Sequence, residues 1–382
     1  MAARSLLIWS ALPIAFGIMA CEGAGSARPG GSDGDMDTDT DTDADTDTDA
    51  DTDTDTDTDA DDPDGGEILP DCSDCPAIGT DLASLRCAID LCDDAVFVGQ
   101  TYTSPTVTNA AKLDRSRAAV ARFGAAGNGL APLYPPVDGS YALMASGYAV
   151  PSDPPDNYDH NQILSGTLLQ PDGPGVPDPF APYDYDSYDV LEWRLELQAP
   201  EGAHGFRIHY VFFSVEYDEY VGKDFNDKFY MILEAASTNG GAPTAINFTD
   251  CRLGVPPDYI CPADMLACDE GDELCHIAIN SGLSECCWYE GCTTMDENTD
   301  ITGTGFECGS EDDDCAGDYC WGFTYGSSTG WLYTEWPVEP GEEFAITFHI
   351  HDTADAILDS EVILDKFVFV GDPDPGTGVV IE

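Results

Sequence analysis

Two short stretches of this chain hold the oxygen chemistry that a hard cation requires. Asp352, Asp355 and Asp359 fall within DTADAILD, and Glu216, Asn226 and Asp227 fall within EYDEYVGKDFND. Calcium takes about six to eight oxygens from carboxylates, amides, backbone and water. These six residues form the expected site, with calcium in a structural role. The competing reading is that the aspartates cap turns through backbone N–H groups. Glu216 and Asp227 would also serve as acid and base of a carbohydrate-active hydrolase. That needs an apolar pocket and a definite separation, and neither is visible in sequence. His349 and His351 lie two apart beside Asp352, with His209 as a third imidazole for a zinc or iron site. No third ligand of fixed spacing accompanies them, and ordinary half-buried histidines are the better account. Nucleophilic serine or cysteine motifs, phosphate loops and dinucleotide fingerprints are all missing.

The elements that position these residues read as strands. In FRIHYVFFS, Phe206, Ile208, Tyr210 and Phe212 face one way, while Arg207, His209, Val211 and Phe213 face the other. A run apolar on both faces predicts a central strand of a sandwich. The chain returns through Phe229, Met231 and Leu233. Val190–Gln198 is a half-buried strand with Leu191, Trp193, Leu195 and Leu197 inward and Glu192, Arg194 and Glu196 outward. Phe344, Ile346, Phe348 and Ile350 form one face of a late strand, and Val362–Val370 is expected to be the last. Other strands are expected over 95–98 and 141–150. A short helix is predicted within 80–91, with Thr80 as its N-cap, and another over 114–122. Trp321, Tyr325, Tyr333 and Trp336 precede the late strands. Exposed, they would stack on sugar rings; buried, they are core. Trp331 is assigned to the core.

Composition bounds the class. Across 382 residues, 74 acidic side chains face 13 basic ones, a formal charge of −61. That excludes ordinary nucleic-acid binding and polybasic attachment to anionic lipid. Seventeen of the aspartates lie between Asp33 and Asp64. There Asp alternates with Thr or Ala, so a strand would have one all-carboxylate face and nothing apolar to bury. An extended, disordered linker is expected over 21–66. The 15 cysteines indicate an oxidising compartment. Four of them (Cys72, Cys75, Cys87 and Cys92) form one disulfide group. Ten more (Cys251, Cys261, Cys268, Cys275, Cys286, Cys287, Cys292, Cys308, Cys315 and Cys320) form a second. This second group marks 251–320 as a disulfide-stapled insertion whose connectivity spacing alone does not give.

The remaining cysteine explains the odd count. Residues 1–20 carry Arg4 and a short apolar run too brief to span a bilayer, then end in Ile18-Met19-Ala20 before Cys21. This resembles a bacterial lipobox, which implies a cleaved signal peptide, diacylglycerol on Cys21 and a membrane-tethered protein at the outer membrane or cell surface.

Two further blocks carry a family resemblance. One runs from Phe212-Phe213-Ser214-Val215-Glu216-Tyr217 to Phe225-Asn226-Asp227-Lys228-Phe229. The other runs from Gly330-Trp331-Leu332 through Pro340-Gly341-Glu342 and His351-Asp352-Thr353-Ala354-Asp355 to Asp359-Ser360-Glu361-Val362 and Leu364-Asp365-Lys366-Phe367. Leu143-Met144-Ala145-Ser146-Gly147 adds an earlier strand. In this order the blocks resemble the choice-of-anchor L domain of bacterial surface proteins. The resemblance implies an exported, β-rich domain held at the cell by an anchor; Val215 and Lys366 depart from its pattern. The expectation is an all-β, jelly-roll or Greek-key-like β-sandwich over 67–382, interrupted by the disulfide-rich insertion. Its expected role is non-enzymatic adhesion to an extracellular glycan or protein, with no nucleic-acid partner. The alternatives are a secreted hydrolase and a purely structural envelope protein.

Overall fold

Alternation along the strands sets the architecture. The computed structural model describes residues 67–68, 72, 78–121, 131–132, 139–149, 174–181, 185–214, 216, 225–249, 275–278, 299–300, 306, 327–356, 359–373 and 378–381. All lie in the unit spanning Asp59–Glu382. The principal strands are β1 (Phe97–Thr103), β2 (Arg117–Val120), β3 (Tyr141–Ala145), β4 (Asp186–Gln198), β5 (Gly205–Ser214) and β6 (Lys228–Glu234). They continue with β7 (Cys275–Ala278), β8 (Leu332–Pro337), β9 (Glu343–Thr353), β10 (Ser360–Val370) and β11 (Gly378–Ile381). One sheet has the order β11-β8-β5-β10-β3-β2, and the other contains β7-β6-β9-β4-β1.

This order is a jelly roll. The pairs β3–β10, β4–β9, β5–β8 and β6–β7 are antiparallel neighbours, as in a long ribbon rolled on itself. From β3 to β10, successive strands therefore change sheet at each end, except at the β6–β7 apex. The inward residues expected of β4, β5, β6 and β9 pack in one core, among them Trp193, Phe206, Tyr210, Phe229 and Phe348. The opposite face of β5 is also covered: Val211 and Phe213 join Tyr141, Leu143, Ile363 and Phe306 in a second cluster. Burial on both faces is what the doubly apolar sequence of β5 demands.

Several local expectations are corrected. The first helix, α1 (Leu82–Ala88), is capped by Asp81 rather than Thr80: Asp81 Oδ1 accepts from the N–H groups of Ala83 and Ser84, both at 3.0 Å. Residues 114–122 do not form a helix. Helix α2 occupies Ala110–Leu113, and Arg117–Val120 pairs with β3. Buried strand pairing overrides the weak helical preference of an alanine-containing segment. The strand after Ser140 ends at Ala145, and the one near 95–98 runs Phe97–Thr103. A strand beyond β10, Gly378–Ile381, pairs with β8; four residues are too few to show a period.

The cysteine-rich stretch contributes to the sandwich. Strand β7 pairs Ile277 with Phe229, and Ile277 is fully buried in the main core. Cys72 and Cys92 are disulfide-bonded with Cα atoms 5.5 Å apart, and Cys87 is also disulfide-bonded. Cys275 begins β7. The other expected cysteines, Cys21, the signal and the linker lie outside the described residues. Replacing Ile277 by Ala should lower stability by about 2–5 kcal/mol, read by denaturant unfolding with disulfides intact. A change below about 0.5 kcal/mol would mean that β7 is not part of the cooperative core.

Candidate cation site at one end of the sandwich

The jelly roll brings four chain segments to a single end. These are the start of β4, the turn after β3, the β5–β6 connection and the β9–β10 connection. Residues over 200 positions apart meet there: Ser146 Oγ accepts from Ser360 N at 2.9 Å, and Ser146 N donates to Ser360 O at 2.9 Å. Five carboxylate residues at this end are almost completely enclosed: Asp189, Glu216, Asp227, Asp352 and Asp359. Glu361, the second residue of β10, lies beside them and is equally buried. Asp355 is half-buried in the β9–β10 connection.

Asp227 behaves as a turn clamp. Its Oδ1 accepts from Thr353 N at 2.9 Å and its Oδ2 from Ser360 Oγ at 2.7 Å. It therefore ties the end of β9 to the start of β10. Asn226 takes part through its carbonyl, which accepts from Thr353 Oγ1 at 2.7 Å. For Asp227, the turn-capping account is correct in part. It does not extend to Asp352, whose two carboxylate oxygens are buried with no well-formed hydrogen bond beyond the influence of the Ser146 hydroxyl, nor to Glu216 Oε2.

Sequence reasoning missed Asp189 and Glu361. Asp189 is reached through a bulge: opposite β9 the register shifts between Ile350 and Asp352, and Asp189 takes a φ of 43°. A bulge re-aims a side chain that regular alternation would place elsewhere. Ala354, on the other side of the site, has a φ of 74°, so two non-glycine residues accept left-handed backbone here. Glu361 sits in an apolar strand pattern, and only its burial beside Asp359 marks it. Gly147 has a steric signal, since a β-carbon there would overlap the Asp359 carboxylate.

The electrostatics follow from burial. Asp352 is pushed well above the usual carboxylate range by burial, then by the charges of Asp227, Asp189 and Asp359, with Ser146 opposing. Glu216 is raised by burial and then by Asp227, to which it is hydrogen-bonded, and by Asp355. Asp227 is pushed up to about 7 by burial, although bonds from Ser360, Thr353 and Glu216 favour its charged form. Glu361 is raised by burial and then by Asp359. Buried, mutually repelling carboxylates need a proton or a cation. Among the described residues, no three acidic, histidine or cysteine side chains already converge as a closed metal cage. Bare carboxylates repel one another, and backbone oxygens and water complete calcium shells.

The histidines do not join this site. His209 lies on the other sheet, its ring 5.4 Å from Tyr333. His349 and His351 share the outer face of the β6–β9–β4 sheet, with Nε2 and Nδ1 3.0 Å apart. Burial pushes His351 down to about 4, so it is neutral at physiological pH and Lys228 carries the positive charge opposite Asp178. Burial alone would raise the Asp178 carboxyl, but His351 and Lys228 hold it below the usual range. The aromatic residues do not form one platform. Tyr333 is half-buried under Arg207, and Trp336 donates from Nε1 to Thr238 at 2.9 Å and packs against the main core. Trp331 is half-buried, edge-on to Tyr141. Trp321 and Tyr325 lie outside the described residues.

Comparison of the chain with protein-family models, curated proteins and solved structures returns no match.

Two outcomes are expected. Because Asp227 is raised from 3.8 to about 7, the folded state holds its proton more tightly than the unfolded chain. Its stabilising contribution is complete below pH 3.8 and is lost as pH rises through about 7; Glu216, Asp352 and Glu361 act in the same direction. His351, lowered from 6.5 to about 4, acts oppositely as a single group. In chelator, the domain should therefore lose on the order of 3 kcal/mol of stability between pH 4.5 and 7.5, measured by urea unfolding. Constant or rising stability would contradict the arrangement. Gly147→Ala should cost about 1–3 kcal/mol by the same measurement.

Proposed function

We propose that this chain is a lipid-anchored bacterial cell-surface module, non-enzymatic, whose jelly roll is completed by a structural calcium ion. One observation carries the cation: Asp352 is buried among other carboxylates, and beyond the influence of the Ser146 hydroxyl neither of its oxygens makes a well-formed hydrogen bond. Asp189, Glu216, Asp227, Asp355 and Asp359 supply the remaining acidic oxygens, with Asn226 beside them. Hard oxygen donors without thiolate or imidazole favour calcium over zinc or copper. The ion would neutralise the repulsion that raises these groups and would lock β4, β6, β9 and β10 at one end.

The surface location rests on the lipobox-like sequence at Cys21, the acidic linker and the cysteine content. The choice-of-anchor L resemblance rests on its quoted motifs and supports an exported, anchored domain. Binding of an extracellular glycan or protein is the role that such a display serves. The hydrolase reading is weaker because its proposed acid and base, Glu216 and Asp227, are buried and hydrogen-bonded to each other. A glycosidic bond needs carboxyl groups about 5 Å or more apart with sugar between them.

Calcium at a hundredfold excess over its Kd should stabilise the protein by about 2.7 kcal/mol, which raises Tm by roughly 4 °C for a unit of this size. Asp352→Asn removes one repelling charge. It should raise the Tm in chelator at pH 7.5 and abolish the calcium increment. A wild-type Tm unchanged by calcium would refute the site. For the anchor, Cys21→Ser should move the protein from the membrane fraction to the soluble one. Membrane association of that variant would rule out lipid on Cys21 as the tether.

A further inference from the structure

The outer face of the β6–β9–β4 sheet encloses a lysine against a carboxylate. Lys228 Nζ lies 2.9 Å from Asp178 Oδ2, and the side chains are 5% and 1% exposed. The surroundings treat the two Asp178 oxygens differently. Oδ1 accepts from the backbone N–H groups of Phe180 at 2.8 Å and Ala181 at 2.9 Å. Oδ2 faces Lys228 and, at 3.5 Å, His351 Nε2. The Tyr230 hydroxyl reaches both, at 3.1 and 2.9 Å. Fixed backbone donors on one oxygen of a carboxyl are the arrangement that stabilises a tetrahedral oxyanion. An amine held against the same carboxyl group is a nucleophile near its attack position.

The row of side chains beside this pair supplies a base. Glu192 Oε1 lies 3.2 Å from His349 Nδ1, and His349 Nε2 lies 3.0 Å from His351 Nδ1. A carboxylate only accepts, so His349 donates from Nδ1 and presents a lone pair at Nε2. His351 then donates from Nδ1 and turns a lone pair at Nε2 toward Asp178 Oδ2. A lone pair in that position faces the Lys228–Asp178 pair as a proton acceptor.

We propose that Lys228 and Asp178 condense to an intramolecular isopeptide bond. A proton passes from the Lys228 ammonium to Asp178 Oδ2, leaving an amine and a carboxylic acid. The Nζ lone pair adds to Cγ, and the negative charge develops on Oδ1 beside the Phe180 and Ala181 amides and Tyr230. His351 Nε2 takes the proton shed by Nζ and returns it to Oδ2. The Cγ–Oδ2 bond breaks, Oδ2 leaves as water and the carbonyl re-forms. One ammonium and one carboxylate become one amide and one water, with no oxidant or cofactor. Condensation removes two charges from a buried site, where their desolvation is expensive. It also staples the segment around Asp178 to the first residue of β6, closing the chain between them.

Proteolysis and mass spectrometry of the purified, reduced full chain test this directly. The expected result is a branched peptide joining the Asp178 and Lys228 segments, lighter than their sum by one water, with the two linear peptides depleted. In Lys228→Arg, which keeps the cation, both segments should be recovered as linear peptides. His351→Gln should slow bond formation after refolding by tenfold or more. Quantitative recovery of both linear peptides from folded wild-type protein, after prolonged incubation at neutral pH, would overturn the proposal and leave a buried ion pair. If Lys228→Arg does not fold, the wild-type peptide map alone decides.

Discussion

Negative charge enclosed by an apolar sandwich is the constraint on which the rest of this structure depends. Between the sheets lie Trp193, Phe206, Tyr210 and Phe348, none of which can solvate an ion. Yet the strands that supply those side chains terminate in Asp189, Asp227, Asp352 and Asp359, all buried. A carboxylate in such surroundings must be hydrogen-bonded, protonated or paired with a cation. The protein uses more than one of these solutions. Asp227 takes backbone and hydroxyl donors and becomes a clamp between β9 and β10. Asp178 takes a lysine, a tyrosine and two backbone amides. Asp352 has the Ser146 hydroxyl beside it but no well-formed hydrogen bond, and that difference separates a structural acid from a candidate ligand.

The backbone at the acidic end is shaped to the same purpose. Asp189 and Ala354 adopt left-handed conformations on either side of the site, and Gly147 is kept free of a β-carbon by the Asp359 carboxylate. Strained backbone persists where surrounding structure holds it, and here the β4–β9 ladder holds it from both sides of the bulge. The core therefore provides rigidity while the strand ends carry the polar function. The outer face of the β6–β9–β4 sheet follows a different logic. Its acids, histidines and lysine satisfy one another in a cross-strand row, because residues on adjacent strands of one face lie within side-chain reach.

Much of the fold was legible in the sequence because a half-buried strand must alternate. The inward sets of β4, β5, β6 and β9 were readable residue by residue, and the doubly apolar β5 announced a cover on its second face, which Tyr141, Ile363 and Phe306 supply. The failures have equally local reasons. Arg117–Val120 carries alanines that suit a helix, yet its pairing with β3 decides its conformation. Strand β7 lies within a stretch whose cysteines and acids concealed one buried isoleucine. The cap of α1 shifted by one residue because Asp81 and Thr80 are both competent caps and only backbone geometry selects between them.

What the sequence by itself determined was the class of the protein: an acidic, cysteine-rich, all-β chain with a group of aspartates between its late strands. Hydrophobic alternation and charge are properties of consecutive residues, so they survive without coordinates. Only the tertiary structure decided which of those carboxylates are buried, which have partners and which face a lysine. Those properties depend on contacts between Ser146 and Ser360, Asp227 and Thr353, or Asp178 and Lys228. Such contacts join distant parts of the chain through the rolling of the ribbon, and no local pattern encodes them.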